Sequence, residues 1–131
     1  MTRPLIAYLA TAVVLVALDM LWLRVIALDW YQQGIGHLMG AQVNLLAGAL
    51  FYVLFPVGVV IFAVMPSLQQ TWLNAVVMGA LFGFFAYATY DLTNLATLKN
   101  WPLSLSVIDI AWGSFVSGVS ALAGRAAAGA V

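Results

Sequence analysis

Cysteine and glutamate are both absent from the 131-residue sequence, and only four basic and four acidic side chains occur in it. Without cysteine there are no disulfides, thiolate metal sites, iron–sulfur clusters or cysteine nucleophiles. The basic residues Arg3, Arg24, Lys99 and Arg125 are scattered and cancelled by Asp19, Asp29, Asp91 and Asp109, so the net charge is zero and no basic patch exists to hold nucleic acid. Histidine occurs once, at His37 in a loop-like segment, where a surface role outweighs a ligand role. No Ser–His–Asp set, zinc-binding HExxH or phosphate-cradling glycine loop can be read from the chain, so no catalytic residue is assigned.

What fills the sequence instead is hydrocarbon: 66% of residues are hydrophobic and 6% charged, far from a soluble domain. The apolar stretches are long and nearly continuous, unlike the alternating strands of about 10 residues that a membrane barrel needs. An all-α, polytopic membrane protein follows, a four-transmembrane-helix bundle forming one domain over residues 1–131, with spans at about 4–28, 42–65, 72–98 and 103–122, since each crossing takes about 20 residues. Arg3 ahead of an apolar run resembles a signal sequence, but the run ends in Asp19-Met20-Leu21-Trp22 without a small-residue cleavage site, so it reads as the first span. The segment Asp29 to Gly40 mixes aromatics with glycines and belongs at the membrane surface. Pro56 falls inside the second span, where it is expected to kink the helix, and Pro66 marks its end. Most of the five tryptophans, Trp101 among them, read as interfacial anchors. Lys and Arg are nearly balanced between the two sides, which leaves orientation open.

A carboxyl group inside a span costs roughly 2.5–3.5 kcal/mol on insertion scales, yet Asp19, Asp91 and Asp109 all fall inside. Counted from the nearest loops at 1.5 Å per residue, all three lie roughly 10–14 Å inward, in one layer. At 100° per residue, Tyr8, Thr11, Leu15, Asp19 and Trp22 share a stripe of the first span. Gly83, Tyr87, Tyr90, Asp91 and Asn94 do so in the third, and Ser106, Asp109, Trp112, Gly113 and Ser120 in the fourth. The second contributes Asn44, Gly48, Phe51, Phe55 and Gly58. Stacked together, these faces make a pocket with acids, hydroxyls and amides near one opening and an aromatic, glycine-lined floor. Asp19, Trp22, Asn44, Tyr87, Tyr90, Asp91, Asn94, Asp109 and Trp112 are therefore the candidate ligand- or proton-binding residues. Two readings of the acids stand: hydrogen bonds that lock helices together, or a site for a ligand, ion or proton, the default for intramembrane ionisable groups. Three oxygen-bearing acids also suit Mg²⁺ or Mn²⁺, though no ligand geometry follows from spacing. The glycines and serines at 79, 83, 113, 114, 117 and 118 read as close-packing devices, and Asp19-x-x-Trp22 is echoed by Asp109-x-x-Trp112.

The stretch Tyr87-Ala-Thr-Tyr-Asp-Leu-Thr-Asn-Leu-Ala96, followed by Trp101-Pro102 and Asp109-Ile-Ala-Trp-Gly113, resembles the DUF2177 family of small bacterial membrane proteins. Leu18-Asp19, Leu21-Trp22-Leu23, Tyr31 and Phe51-Tyr52 extend the resemblance over nearly the whole chain. The family implies membership and topology, and with them a multi-pass place in the bacterial inner membrane, but no reaction. Three functional classes remain. A binding or transport protein for a small-molecule or lipid-like ligand ranks first, proton-coupled and workable as a homodimer. An enzyme or enzyme partner acting on a lipid or isoprenoid ranks second, and a structural module third. Membrane lipid is the expected surrounding partner.

Overall fold

The computed structural model describes residues 2–40, 42 and 44–131; Val43, near the start of the expected second span, lies outside them. The described residues are 88% helical with no strand, which makes the protein all-α. We number the helices α1 (Thr2–Ile26), α2 (Leu28–Ile35), α3 (Leu45–Ser67), α4 (Trp72–Thr97) and α5 (Leu103–Gly129). All but α2 are long and apolar enough to cross a membrane.

Local chemistry sets the helix ends. The Asn44 side chain accepts the Ala47 amide at 3.1 Å at the start of α3, and Thr71 Oγ1 accepts the Asn74 amide at 3.3 Å at the start of α4, each satisfying a donor that a helix leaves unpaired. After α4 the chain turns through Asn100 at φ 61°, a left-handed conformation that asparagine tolerates well. Beyond the turn, α5 continues to Gly129, seven residues past the expected 122, because Arg125 has a use inside it. Its guanidinium donates to the carbonyls of Ser67 (3.2 Å) and Gln70 (3.3 Å), fastening α5 to the α3–α4 turn.

Helix α5 is the central post. Over half of its apolar window (56%) is buried inside the protein, against 17–22% for the other spans, whose apolar sides face outward. It packs along α4 and α1 most extensively, and small residues make this approach close. A Cβ on Gly79 would stand 2.7 Å from Ala121 Cβ and 2.8 Å from the Ser117 carbonyl, so glycine is required there. The same holds at Gly83, whose Cβ would collide with the Gly113 carbonyl and Ser117.

Two spans depart from regular α geometry. Pro56 sits inside α3 and cannot donate to the Tyr52 carbonyl. Farther along, the helix widens into a π turn at Val60–Val64, which places Val59, Val60, Ala63 and Val64 together on the buried face. In α1 a second π turn covers Trp22–Ile26, closed by the Ala27 amide on the Trp22 carbonyl at 2.8 Å. Immediately after it α2 begins, so the expected surface segment contains a short helix. This helix lies against the first turns of α5: a Cβ on Gly34 would meet Pro102 at 3.0 Å and Leu105 at 3.3 Å. Trp101 differs from the expected anchor. It is buried, donates its indole N–H to Ser106 Oγ at 2.9 Å and packs edge-on against Tyr90, because the extended Trp101-Pro102 entry to α5 folds it inward.

Candidate functional site

A cavity of about 540 Å³ opens among α1, α3, α4 and α5, with α2 at its edge. That volume falls within the range of small-molecule sites. Its wall holds Asp19 and Leu23 from α1, Tyr31 from α2, and Ala47, Gly48, Phe51, Tyr52 and Phe55 from α3. Ala86, Tyr87 and Tyr90 come from α4, and Asp109 and Trp112 from α5. Five helices thus contribute side chains, most of them aromatic.

The two acids reach the cavity already hydrogen-bonded. Asp19 accepts the Tyr52 hydroxyl on Oδ2 and the Trp112 indole N–H on Oδ1, the latter at 2.9 Å. Asp109 accepts the Tyr31 hydroxyl on Oδ1, and Tyr31 in turn accepts the Trp22 indole N–H at 3.3 Å. Between these two networks the rings of Trp22 and Trp112 stack at 4.5 Å and an interplanar angle of 5°. Each Asp-x-x-Trp motif is therefore tied to the other: Asp19 is served directly by Trp112, and Asp109 is served by Trp22 through one phenol. The π turn that starts at Trp22 changes the register of α1 there, at the point where this indole meets Trp112 and Tyr31.

Tyr31 lies outside the spans. Burial first, and then the adjoining Asp109 carboxyl, push its phenol above the ordinary tyrosine value, so it stays protonated and donates. Tyr87 is held by shape. Its ring covers Gly113, where a Cβ would overlap the ring atoms, and Phe55 meets it edge-on at 6.0 Å. From there Tyr87 is within electrostatic reach of Asp19, Asp109 and Asp91.

Of the nine candidate residues, Asp19, Tyr87, Tyr90, Asp109 and Trp112 line the cavity together. The other four do not. Trp22 stands behind Trp112 and acts through Tyr31. Asn44 caps α3, because its side chain accepts from the helix's own first turn. Asn94 lies off the wall, one turn beyond Tyr90. Asp91 is 1% exposed and pairs closely with the Asp109 carboxyl behind the wall, although neither of its oxygens has a partner in good hydrogen-bond geometry among the described residues. Among the described residues no three His, Cys, Asp or Glu side chains gather closely enough to hold an ion, so the suitability of the three acids for Mg²⁺ or Mn²⁺ has no clustered ligand set behind it.

A larger groove of about 800 Å³ runs along the outer side of α4 and α5. Its walls are apolar apart from Ser114, whose hydroxyl already donates to the Ala80 carbonyl at 2.9 Å. It offers nothing to orient a polar ligand.

A family model described as a predicted membrane protein, DUF2177, matches residues 4–126. The chain belongs to the DUF2177 family. No curated protein and no solved structure matches it. The family assignment thus agrees with the four spans and the all-helical fold, and it carries no ligand or reaction with it.

Two wall residues of this DUF2177 protein, Tyr31 and Tyr52, are donors to the acids yet were not among the candidates. Tyr52 is one helical turn beyond Gly48, so the glycine stripe of α3 pointed toward it. For Tyr31 no periodic signal exists, because α2 is short and its placement depends on the break at Ala27.

Proposed function

We propose that this DUF2177 protein is a multi-pass protein of the bacterial inner membrane that binds a small or lipid-like ligand in the aromatic cavity, with proton exchange at an aspartate as the means of coupling binding to transport. The observation that carries the reading is the pair Asp19 and Asp109, brought from helices at opposite ends of the chain to the wall of one cavity of about 540 Å³. A bundle held together by hydrogen bonds alone has no need of a volume of that size beside its acids. Aromatic faces would hold the apolar part of a ligand, and the carboxyls would fix a donor group, the usual division in small-molecule sites.

One observation favours the alternative of a structural module: both oxygens of Asp19 are already occupied by Tyr52 and Trp112. The two readings separate experimentally. Native mass spectrometry of protein extracted in native-membrane nanodiscs is expected to show a drug-sized species bound to the wild type and lost from Asp109→Asn, with helicity retained in both. Absence of any such species, or its equal retention in Asp109→Asn, refutes ligand binding at this cavity. Loss of thermal stability as the sole change in Asp109→Asn supports the structural reading.

A further inference from the structure

We infer that the cavity is loaded sideways from the bilayer, between α3 and α4, and that its ligand is an amphiphile with a hydroxyl or amine head and a hydrocarbon chain. This rests on the reading of the cavity as a ligand site and adds its route and ligand class.

The route follows from how α3 is attached. Its last π turn, Val60–Val64, packs firmly against α4, and Phe55 closes the cavity floor by meeting Phe82 at 5.3 Å and Tyr87 at 6.0 Å. On the other side of Phe55, the first turns of α3 stand away from α4. Phe51 of α3 and Tyr90 of α4, both on the cavity wall, are 39% and 55% exposed, and their ring faces suit lipid chains. Gly48 lines the cavity one turn before Phe51, and a Cβ there would have nothing within 4 Å. The end toward α2 is occupied: Tyr31 is bonded to Asp109, and Trp22 is stacked on Trp112. A membrane-dissolved molecule therefore meets an open side, whereas one from water meets a hydrogen-bonded aromatic cover.

The head group follows from which polar atoms are left over. Among the described residues Asp19 has a protein donor on each oxygen, whereas Asp109 has a phenol donor on Oδ1 only, with the buried Asp91 carboxyl as its other close neighbour. The Tyr87 hydroxyl has no protein partner among the described residues. A head that both donates to Asp109 and accepts from Tyr87 satisfies them together, which a hydroxyl or amine does. An anionic head would bring like charge against two carboxyls and is disfavoured.

The test uses the full chain in phosphatidylcholine nanodiscs and a long-chain alkylamine bearing a mid-chain diazirine, with cross-links mapped by peptide mass spectrometry. The expected labels fall on residues 47–51 and 87–90, and drop in Gly48→Trp to the background seen at the lipid-facing Leu5 and Val13. Gly48→Leu serves as a second plug should the tryptophan disturb folding. The same diazirine on a fatty acid is expected to label the cavity less than the amine does. Wall labelling that persists unchanged in both plugged variants while Asp109→Asn abolishes it overturns the lateral route and leaves the cavity reading standing. Cavity labelling that is stronger with the fatty acid overturns the head-group assignment. Labelling no higher at the cavity than at Leu5 and Val13 overturns both the inference and the function beneath it.

Discussion

Asp19 offers the sharpest energetic test, because it is 5% exposed and accepts two hydrogen bonds from different helices, Tyr52 on α3 and Trp112 on α5. Tyr52→Phe keeps the ring and removes one donor. Hydrogen bonds to charged groups in soluble proteins contribute about 1.5–3 kcal/mol, whereas side-chain bonds inside membranes average about 0.6 and reach about 1.7 kcal/mol. For a buried carboxyl with two fixed donors the upper part of the membrane range applies, so the expected loss is about 1–2 kcal/mol. Asp19→Leu strands both donors and is expected to lose about 2 kcal/mol or more, since each unpaired buried group costs about 1–3 kcal/mol. In the double variant the Tyr52 donor and its acceptor are gone together, so the combined loss should fall short of the sum by at least about 1 kcal/mol, well outside the roughly 0.3–0.5 kcal/mol scatter of independent sites. Reversible unfolding in mixed SDS micelles reads these differences, with tryptophan emission as the signal because Trp22 and Trp112 are stacked only in the folded bundle. Additive losses in the two single variants would refute the Tyr52–Asp19 link as a structural tie.

Gly113→Ala places a methyl inside the Tyr87 ring, and either the ring or α5 must shift; destabilisation of about 1–3 kcal/mol is expected, typical of overpacking. The same unfolding assay checks it, and an unchanged midpoint would show that Tyr87 is not held against α5. Tyr31 gives a pH signature: its phenol is raised in the folded protein, so its contribution is complete below the ordinary tyrosine value near 10 and is lost as pH climbs above it, where the unfolded chain ionises first. Wild type should therefore lose stability from pH 10 upward more steeply than Tyr31→Phe, and the wild-type-minus-variant spectrum should show no phenolate band at pH 11 in folded protein. A full phenolate band there would contradict the burial of Tyr31 against Asp109.

Much of this protein was legible from composition and periodicity. A chain with 66% hydrophobic residues and four charged residues of each sign has one solvent open to it, and helices are the form in which a continuous apolar run satisfies its own backbone. The 100° spacing also fixed facing within a helix: Thr11, Leu15 and Asp19 of α1, and Ser106, Asp109, Gly113 and Ser120 of α5, are all buried.

Tertiary structure decided what those faces meet. Wheel geometry gives the direction of a side chain but not the tilt of its helix, so it could not separate Asp109, at the cavity wall, from Asp91, sealed behind it. It assumes a constant 3.6 residues per turn, and the π turns in α1 and α3 break that assumption where Trp22 and the Val59–Val64 face are aimed. Nor does local sequence reveal a partner more than 70 residues away, as Tyr31 is from Asp109 and Trp112 from Asp19. Long-range pairing is settled by which surfaces pack without voids around α5, a property of the whole bundle that no window of sequence contains.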